Sequence, residues 1–333
     1  MNELGGHVER HRRELLIHCY RMLGSFPDAE DAVQETLLRA WRYRDSVKEG
    51  APLRPWLYRV ATNVCLDAIA RDERRAVLNA RAEADEGWAG RTEDVVWLGP
   101  IPDSVLEPSS PPETTPEALT LRRETIELAF LTAIQLLTAQ QRAALILCDV
   151  LDWSAKDAAE LLDISVPAVN SALQRARVRL RERFPSHKPS WPAGVDGSAA
   201  ERDLMRKYVE AGEAADFLAF ESMIREDATF RMPPDPEIAV GRDAIFKLWI
   251  DGGFGSEGFG RLRCVVTHAN LQPAIAAYVC LPGDSDWRAL ALEVLRIEEG
   301  LITEIVVFTP DNFQLFGLPI VMDPAPEVNT WVR

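Results

Sequence analysis

No apolar run in this 333-residue chain approaches the roughly 18 residues that span a bilayer, and its start, MNELGGHVERHRRELL, is charged where a secretory signal needs an apolar block. A cytoplasmic protein without membrane association is expected. Its five cysteines, Cys19, Cys65, Cys148, Cys264 and Cys280, never form CxxC and sit among apolar neighbours. That pattern points to buried reduced thiols rather than disulfides or a zinc site. Histidine is scarce as well: His7, His11 and His18 lie near Cys19 at helical spacing and read as solvated residues on a helix rather than as a metal cluster. No metal or cofactor is expected. An excess of positive charge is also missing, since the net charge is −15, and this argues against tight, indiscriminate DNA binding by the free chain.

What charge there is falls into blocks. Residues 1–75 and 121–187 are each close to neutral, whereas residues 76–120 carry a net −7 and residues 188–333 a net −10. Acidity overall does not exclude DNA binding, because phosphates respond to the local field within a Debye length of about 10 Å. The neutral blocks hold the local arginine clusters.

Residues 8–75 read as a helical block. In FPDAEDAVQETLLRAWRYRD, Asp28 is the expected N-cap of a helix over 28–43, with Val33, Leu37, Ala40 and Trp41 on one face. PLRPWLYRVATNVCLDAIARDERR predicts a second helix over 54–75: Trp56, Leu57, Val60, Ala61, Val64, Cys65, Ala68 and Ile69 form its apolar stripe. The opposite face presents Arg59, Asn63, Asp67 and Arg71, with Arg74 and Arg75 at the end. Asn63 suits a base edge and the arginines suit phosphates, while Asp67 can read a base or pair with Arg71 one turn on. From 76 to 120 the periodicity stops in a proline-rich, acidic linker whose interior still holds Val95, Val96, Trp97 and Leu98.

A second helical block, residues 121–186, contains SAKDAAELLDISVPAVNSALQRARVRLRERF, with five arginines between Arg175 and Arg183. Ser154 caps a helix whose Ala158, Ala159 and Leu162 face inward, Asp163, Ile164 and Ser165 make a turn, and Ser165 caps a second helix with Pro167 in its first turn. This is the layout of a helix-turn-helix. Val169, Leu173, Ala176 and Leu180 give the buried face of the second helix, and Asn170, Ser171, Gln174, Arg175 and Arg177 face outward, residue types that hydrogen-bond bases and phosphates in a major groove.

These two blocks, in this order and spacing, resemble the extracytoplasmic-function (ECF) sigma factors, the promoter-recognition subunits of bacterial RNA polymerase. The resemblance implies two all-α domains. The first binds the polymerase clamp through Asp28, Asp31, Gln34, Glu35, Arg39 and Trp41, and meets the minus-ten promoter element through the helix 54–75. The second reads the minus-thirty-five element, and the acidic linker threads the polymerase cleft. Core RNA polymerase and promoter DNA are the partners so implied. The family's recognition helix commonly carries a basic residue where this chain has Asn170, and again at Ala172, so weaker phosphate contact is expected.

After a connector over 187–200, residues 201–320 predict an α+β domain: helical ERDLMRKYVEAGEAADFLAFESMI, a strand and turn in ATFRMPPDPEIAVG, a short helix in RDAIFKLWIDG, then strands in RLRCVVTHANLQPAIAAYVCL, WRALALEVLRIEEG and LITEIVVFTP. The order resembles the SnoaL-like, cone-shaped fold with a curved antiparallel sheet, seen also in nuclear transport factor 2 and polyketide cyclases. A SigJ-like and SigG-like subset of ECF sigma factors carries such an extension, together with WLGPIPD-type residues in the linker and a TPDNFQLFGLP-type ending. That likeness implies regulation by intramolecular contact of the extension with the sigma core. Enzymatic work would need groups such as His268, Asp235, Asp251 or Asp286, none of which the sequence pairs, so no catalysis is expected. A small-molecule ligand is a candidate partner, with Trp249, Phe254, Phe259, Tyr278 and Trp287 available to line a pocket or fill the core. Two rival readings stay open: a stand-alone helix-turn-helix regulator with a ligand-binding domain, and a regulator fused to a cyclase-type enzyme.

Overall fold

The computed structural model describes residues 3–44, 52–85, 98–106, 126–183, 199–233 and 238–322. The chain forms two compact units, one of Met1–Leu98 with Pro108–Trp191 and one of Gly99–Glu107 with Pro192–Arg333. Among the described residues no helix is long and apolar enough to cross a membrane.

The first unit is all helical: α1 (Glu3–Leu23), α2 (Phe26–Arg42), α3 (Leu53–Asp85), α4 (Leu128–Gln135), α5 (Ala139–Leu145) running into a π-turn (Ile146–Val150), α6 (Ala155–Leu162) and α7 (Val166–Arg183). The cap of α2 is Ser25, not Asp28. Its hydroxyl accepts from the Asp28 amide at 3.4 Å, Pro27 occupies the first turn, and Asp28 lies inside it, where a negative charge meets the helix dipole. With the helix rotated accordingly, Phe26, Ala29, Ala32, Val33, Thr36 and Ala40 are buried, and Trp41, expected on that stripe, is 67% exposed. α3 continues to Asp85, ten residues past its expected end, because AVLNARAEAD is rich in good helix formers and has neither glycine nor proline. Leu57, Ala61, Val64 and Cys65 of its predicted stripe are buried, as are Tyr58 and Thr62 beside them; Trp56, Val60, Ala68 and Ile69 are only partly covered.

His18 corrects the expectation of a solvated histidine. It is fully buried, its Nε2 lies 2.9 Å from Thr62 Oγ1, and its ring meets Tyr58 edge-on at 5.1 Å. Burial, with the Arg21 charge second, pushes its pKa down to about 3. All five cysteines are free thiols, with Cys19, Cys65 and Cys280 buried.

The two helical blocks pack as one unit. Buried Arg142 of α5 donates to Ile134 O at 3.0 Å, Gln135 O at 2.8 Å and Leu137 O at 3.2 Å, satisfying the carbonyls left at the end of α4. The same guanidinium reaches Met22 O at the end of α1. Gln135 Nε2 donates to Arg21 O at 3.3 Å, and the Tyr58 and Trp153 rings lie 5.7 Å apart.

The second unit is α+β: α8 (Ala199–Ala214), α9 (Phe217–Met223), β1 (Ile224–Arg231), β2 (Ile238–Val240), α10 (Arg242–Asp251), β3 (Arg261–Ala269), β4 (Gln272–Cys280), β5 (Trp287–Glu298), β6 (Leu301–Phe308), a 3₁₀ turn (Pro310–Phe316) and β7 (Val321–Met322). What reads as one helix over 201–224 is two, broken where Ala215 turns left-handed and Asp216 caps α9 by accepting from Ala219 N at 3.0 Å. The strand order is β2-β1-β6-β5-β4-β3 with β7 on β5, antiparallel except for the β1–β6 pair. Register shifts at Ala277/Tyr278 and Arg296/Ile297 curve the sheet. This is the cone-shaped SnoaL-like architecture.

Part of the expected linker belongs to this unit. Residues 98–106, ending in a helical turn (Asp103–Leu106), bond to the β3–β4 hairpin: Asn270 N donates to Ile101 O at 2.9 Å, Ile101 N to Asn270 Oδ1 at 3.0 Å, and Leu271 N to Asp103 Oδ1 at 2.8 Å. Pro102 bridges Ala269, and Ile101 is fully buried. The hairpin tip, Asn270 and Leu271, is left-handed at both residues, as a two-residue type I′ turn requires. The linker residues Val95, Val96 and Trp97 and the connector over 184–198 lie outside the described residues.

Candidate nucleic-acid and polymerase surfaces

The turn between α6 and α7 is built by its caps. Ser154 Oγ accepts from Asp157 N at 3.1 Å, Asp163 closes α6 in the left-handed conformation, and Ser165 Oγ accepts from Ala168 N at 3.3 Å to start α7. Inward on α6 are Ala158, Ala159 and Leu161; Leu162, expected there, is only half-buried. On α7, Val169, Ala172, Leu173 and Ala176 are buried, while Asn170, Ser171, Gln174, Arg175 and Arg177 are exposed together on the opposite side. Ala172, read from sequence as a missing basic contact, therefore faces the core, where a lysine or arginine would bury an unpaired charge.

Not every exposed arginine on α7 is uncommitted. Arg177 pairs with Asp149 of the π-turn through two bonds, Nη2 to Oδ1 at 2.6 Å and Nε to Oδ2 at 2.9 Å. Arg179 donates to Leu136 O at 3.3 Å. Asn170, Ser171, Gln174 and Arg175 are exposed without such pairing among the described residues, and Ser165 is engaged as a cap.

On α3, Asn63, Asp67 and Arg71 share an exposed face with Arg59. The Asp67 carboxylate pairs with Arg39 of α2 at 3.0 Å, and Arg71 donates to the Asp67 carbonyl at 3.2 Å, so of the two roles open to Asp67 the ion pair with Arg71 is not formed and a clasp between helices stands in its place. The side chains of Arg74 and Arg75 lie outside the described residues. Along α2, Asp28, Asp31 and Gln34 are exposed, and Glu35 accepts from Arg39 Nε at 2.6 Å. Beside them Leu38, Trp41 and Tyr43 expose a large apolar patch, with the Arg44 guanidinium 4.8 Å above the Trp41 ring.

Residues 7–75 match Sigma-70 region 2 and residues 127–180 match Sigma-70, region 4. Over 321 residues the chain is 38% identical to the ECF RNA polymerase sigma factor SigG of Mycobacterium tuberculosis, covering 95% of this chain and 84% of that one. The chain belongs to the ECF RNA polymerase sigma factors. It is also 26% identical to the sigma factor SigJ of the same organism over 313 residues, 91% of this chain and 90% of that one. A crystal structure of SigJ shares the fold, with a TM-score of 0.60 over 96% of this chain and all of that chain at 22% identity. Membership of this family makes the chain a transcription factor that works with core RNA polymerase and promoter DNA.

The groups considered for catalysis in the C-terminal unit of this sigma factor are not brought together. His268 is exposed at the end of β3, Asp251 pairs with Lys247 on α10, and Asp286 accepts from Ser285 in the β4–β5 loop. Asp235 lies outside the described residues. Of the aromatic residues, Trp249 and Phe254 pack against the interior cluster and Phe259 stacks on Phe254 at 5.6 Å. Tyr278 instead packs on Phe313 at 5.2 Å, and Trp287 lies beneath Arg261. Sequence reading passed over Glu293. This carboxylate faces the cone interior on β5, accepts from Tyr208 Oη at 2.9 Å, and is pushed up to about 7 by burial, against the lowering effect of the tyrosine bond. The signal was present in ALEVLRI, where a glutamate takes the inward register of an otherwise apolar strand.

Proposed function

We propose that this sigma factor reads a two-part promoter with the exposed faces of α3 and α7, and that its C-terminal unit restrains it until polymerase binds. Asn63 and Arg71 meet the minus-ten element, with Arg74 and Arg75 following; Asn170, Ser171, Gln174 and Arg175 meet the minus-thirty-five element, Ser165 fixing the start of that helix. Arg177 joins them after leaving Asp149. Asp28, Asp31 and Gln34, with the Leu38–Trp41–Tyr43 patch, form the polymerase-binding surface, and the Glu35–Arg39–Asp67 chain holds α2 against α3.

The single observation that carries the restraint is the bonding of residues 98–106 to the β3–β4 hairpin. Those residues lie between the two sigma matches. A linker fixed there cannot also extend along an enzyme cleft, so loading onto polymerase requires its release. Packing of the two helical blocks through Arg142 and Met22 adds a second closed contact that a widely spaced promoter must open.

Transcription by purified core polymerase tests the assignment. The variant with Gln174→Ala and Arg175→Ala is expected to lose discrimination at the upstream promoter element only, and Asn63→Ala at the downstream element only. Equal loss at both elements from either variant would refute it.

A further inference from the structure

On α7 the exposed side chains of Asn170, Gln174 and Arg177 are spaced i, i+4 and i+7, so they line one stripe of the helix. Arg177 ends that stripe, and its guanidinium is already held. Asp149 binds it through both carboxylate oxygens, with Nη2 donating to Oδ1 at 2.6 Å and Nε to Oδ2 at 2.9 Å. A guanidinium takes a phosphate through the same pair of parallel bonds, so the carboxylate sits where a DNA phosphate would sit. The pair lies at the surface: the Arg177 side chain is 50% exposed and that of Asp149 29%.

The backbone carries Asp149 to this place. α5 runs into the π-turn Ile146–Val150, closed by Leu151 N donating to Ile146 O at 3.0 Å. Hydrogen bonds from residue i to i+5 widen the turn and rotate the side chains beyond it relative to a continuing α-helix. Ile146 and Leu147 anchor the turn in the core, and Asp149, two residues on, meets α7. An exposed ion pair of this kind adds little to folding stability. Its larger effect is on the charge that α7 offers to DNA.

We infer that Asp149 is a built-in competitor with DNA phosphate for Arg177, and that it limits how tightly α7 grips the upstream promoter element. Whichever anion Arg177 holds, the carboxylate stays within a Debye length of the DNA surface, so the pair brings no net positive charge to the phosphates. Neutralising Asp149 releases one full charge. Such a brake suits a chain that must pass over random duplex and bind DNA with polymerase, because it weakens the contact that every sequence offers. The inference rests on reading α7 as the helix that meets the minus-thirty-five element.

Fluorescence anisotropy of the holoenzyme, the full chain on core polymerase, tests the brake. It is titrated onto a promoter duplex selected by that holoenzyme and onto a random-sequence duplex of equal length, between about 50 and 200 mM salt. Asp149→Asn keeps the shape of the side chain and removes its charge. It is expected to tighten both duplexes about fivefold, and to steepen the slope of log affinity against log salt by about 0.9, the share of one phosphate contact. Asp149→Glu keeps the charge and is expected to bind as the native protein does. In an Arg177→Ala background the gain from Asp149→Asn should shrink to less than about twofold, since no guanidinium remains to be released.

Weaker binding by Asp149→Asn would show that the ion pair serves to prop α7. An equal gain in the Arg177→Ala background would show a diffuse charge effect, and an unchanged slope would show that Arg177 meets no phosphate. Each of these results overturns the inference. None of them touches the assignment of α7, which is decided by base discrimination in the variant with Gln174→Ala and Arg175→Ala.

Discussion

Asn270→Ala attacks the point where the linker meets the hairpin. In the native protein the Asn270 side chain accepts from Ile101 N at 3.0 Å, and Ile101 is fully buried. Without the acceptor, the buried amide is left unpaired, at a cost of about 1–3 kcal/mol. Alanine at the positive φ of 59° also strains the hairpin tip by about 1 kcal/mol, but does so with the linker docked or released alike. The docked state is therefore destabilised relative to the released one by about 2 kcal/mol, which converts to roughly a thirtyfold shift toward the released linker. Hydrogen exchange reads this directly. Pro100 and Pro102 have no amide, so Ile101, Asp103, Ser104, Val105 and Leu106 are the reporters, and their protection should drop by that factor while the amides of β5 and β6 keep theirs. Asn270→Gly loses the same hydrogen bond without the strain, so it should release the linker to the same extent while sparing the hairpin's own stability. Promoter-dependent transcription should rise in both variants. Unchanged protection at Ile101 in Asn270→Ala would refute the reasoning.

Three further outcomes follow from other parts of the molecule. His18 has a folded pKa lowered from 6.5 to about 3, so its contribution to stability is complete above pH 6.5 and is lost as pH falls toward 3; denaturant unfolding of the helical unit should weaken by about 2 kcal/mol between pH 7.5 and pH 5. Glu293 runs the opposite way: its pKa is raised from 4.5 to about 7, so the stability it contributes is full below pH 4.5 and is lost as pH rises through 7, and carboxyl-carbon NMR should show its titration near neutrality. Trp41→Ala, at a residue 67% exposed, should leave the melting temperature within about 2 °C while weakening retention on core polymerase about tenfold or more.

Much of this architecture was legible in the sequence because its signals are local. The capped turn of Ser154 and Ser165, the alternation of β3 to β6 and the apolar stripe of α3 each follow from neighbours a few residues apart. Misreadings arose where tertiary partners decide. Asp28 and Ser25 are both good caps, and only the proline between them, with Phe26 buried, selects Ser25. His18 is polar by type, yet Thr62 and Tyr58, forty or more residues away, give it a dry niche. Asp67 finds Arg39 rather than its own helix neighbour, because α2 lies alongside α3. The docking of Ile101 on Asn270 spans 169 residues and leaves no periodic trace. Glu293 is the converse case: it shares the alternation of Ala291 and Leu295 along β5, a local sign of an inward position, and the register with Ile275 and Val307 agrees with it.

Promoter recognition by this sigma factor requires polymerase. Duplex carrying the selected promoter should be bound specifically when the purified chain is mixed with core RNA polymerase, and only at the nonspecific level when the chain is alone. Tight, sequence-specific binding by the chain alone, unaltered by adding polymerase, would contradict it.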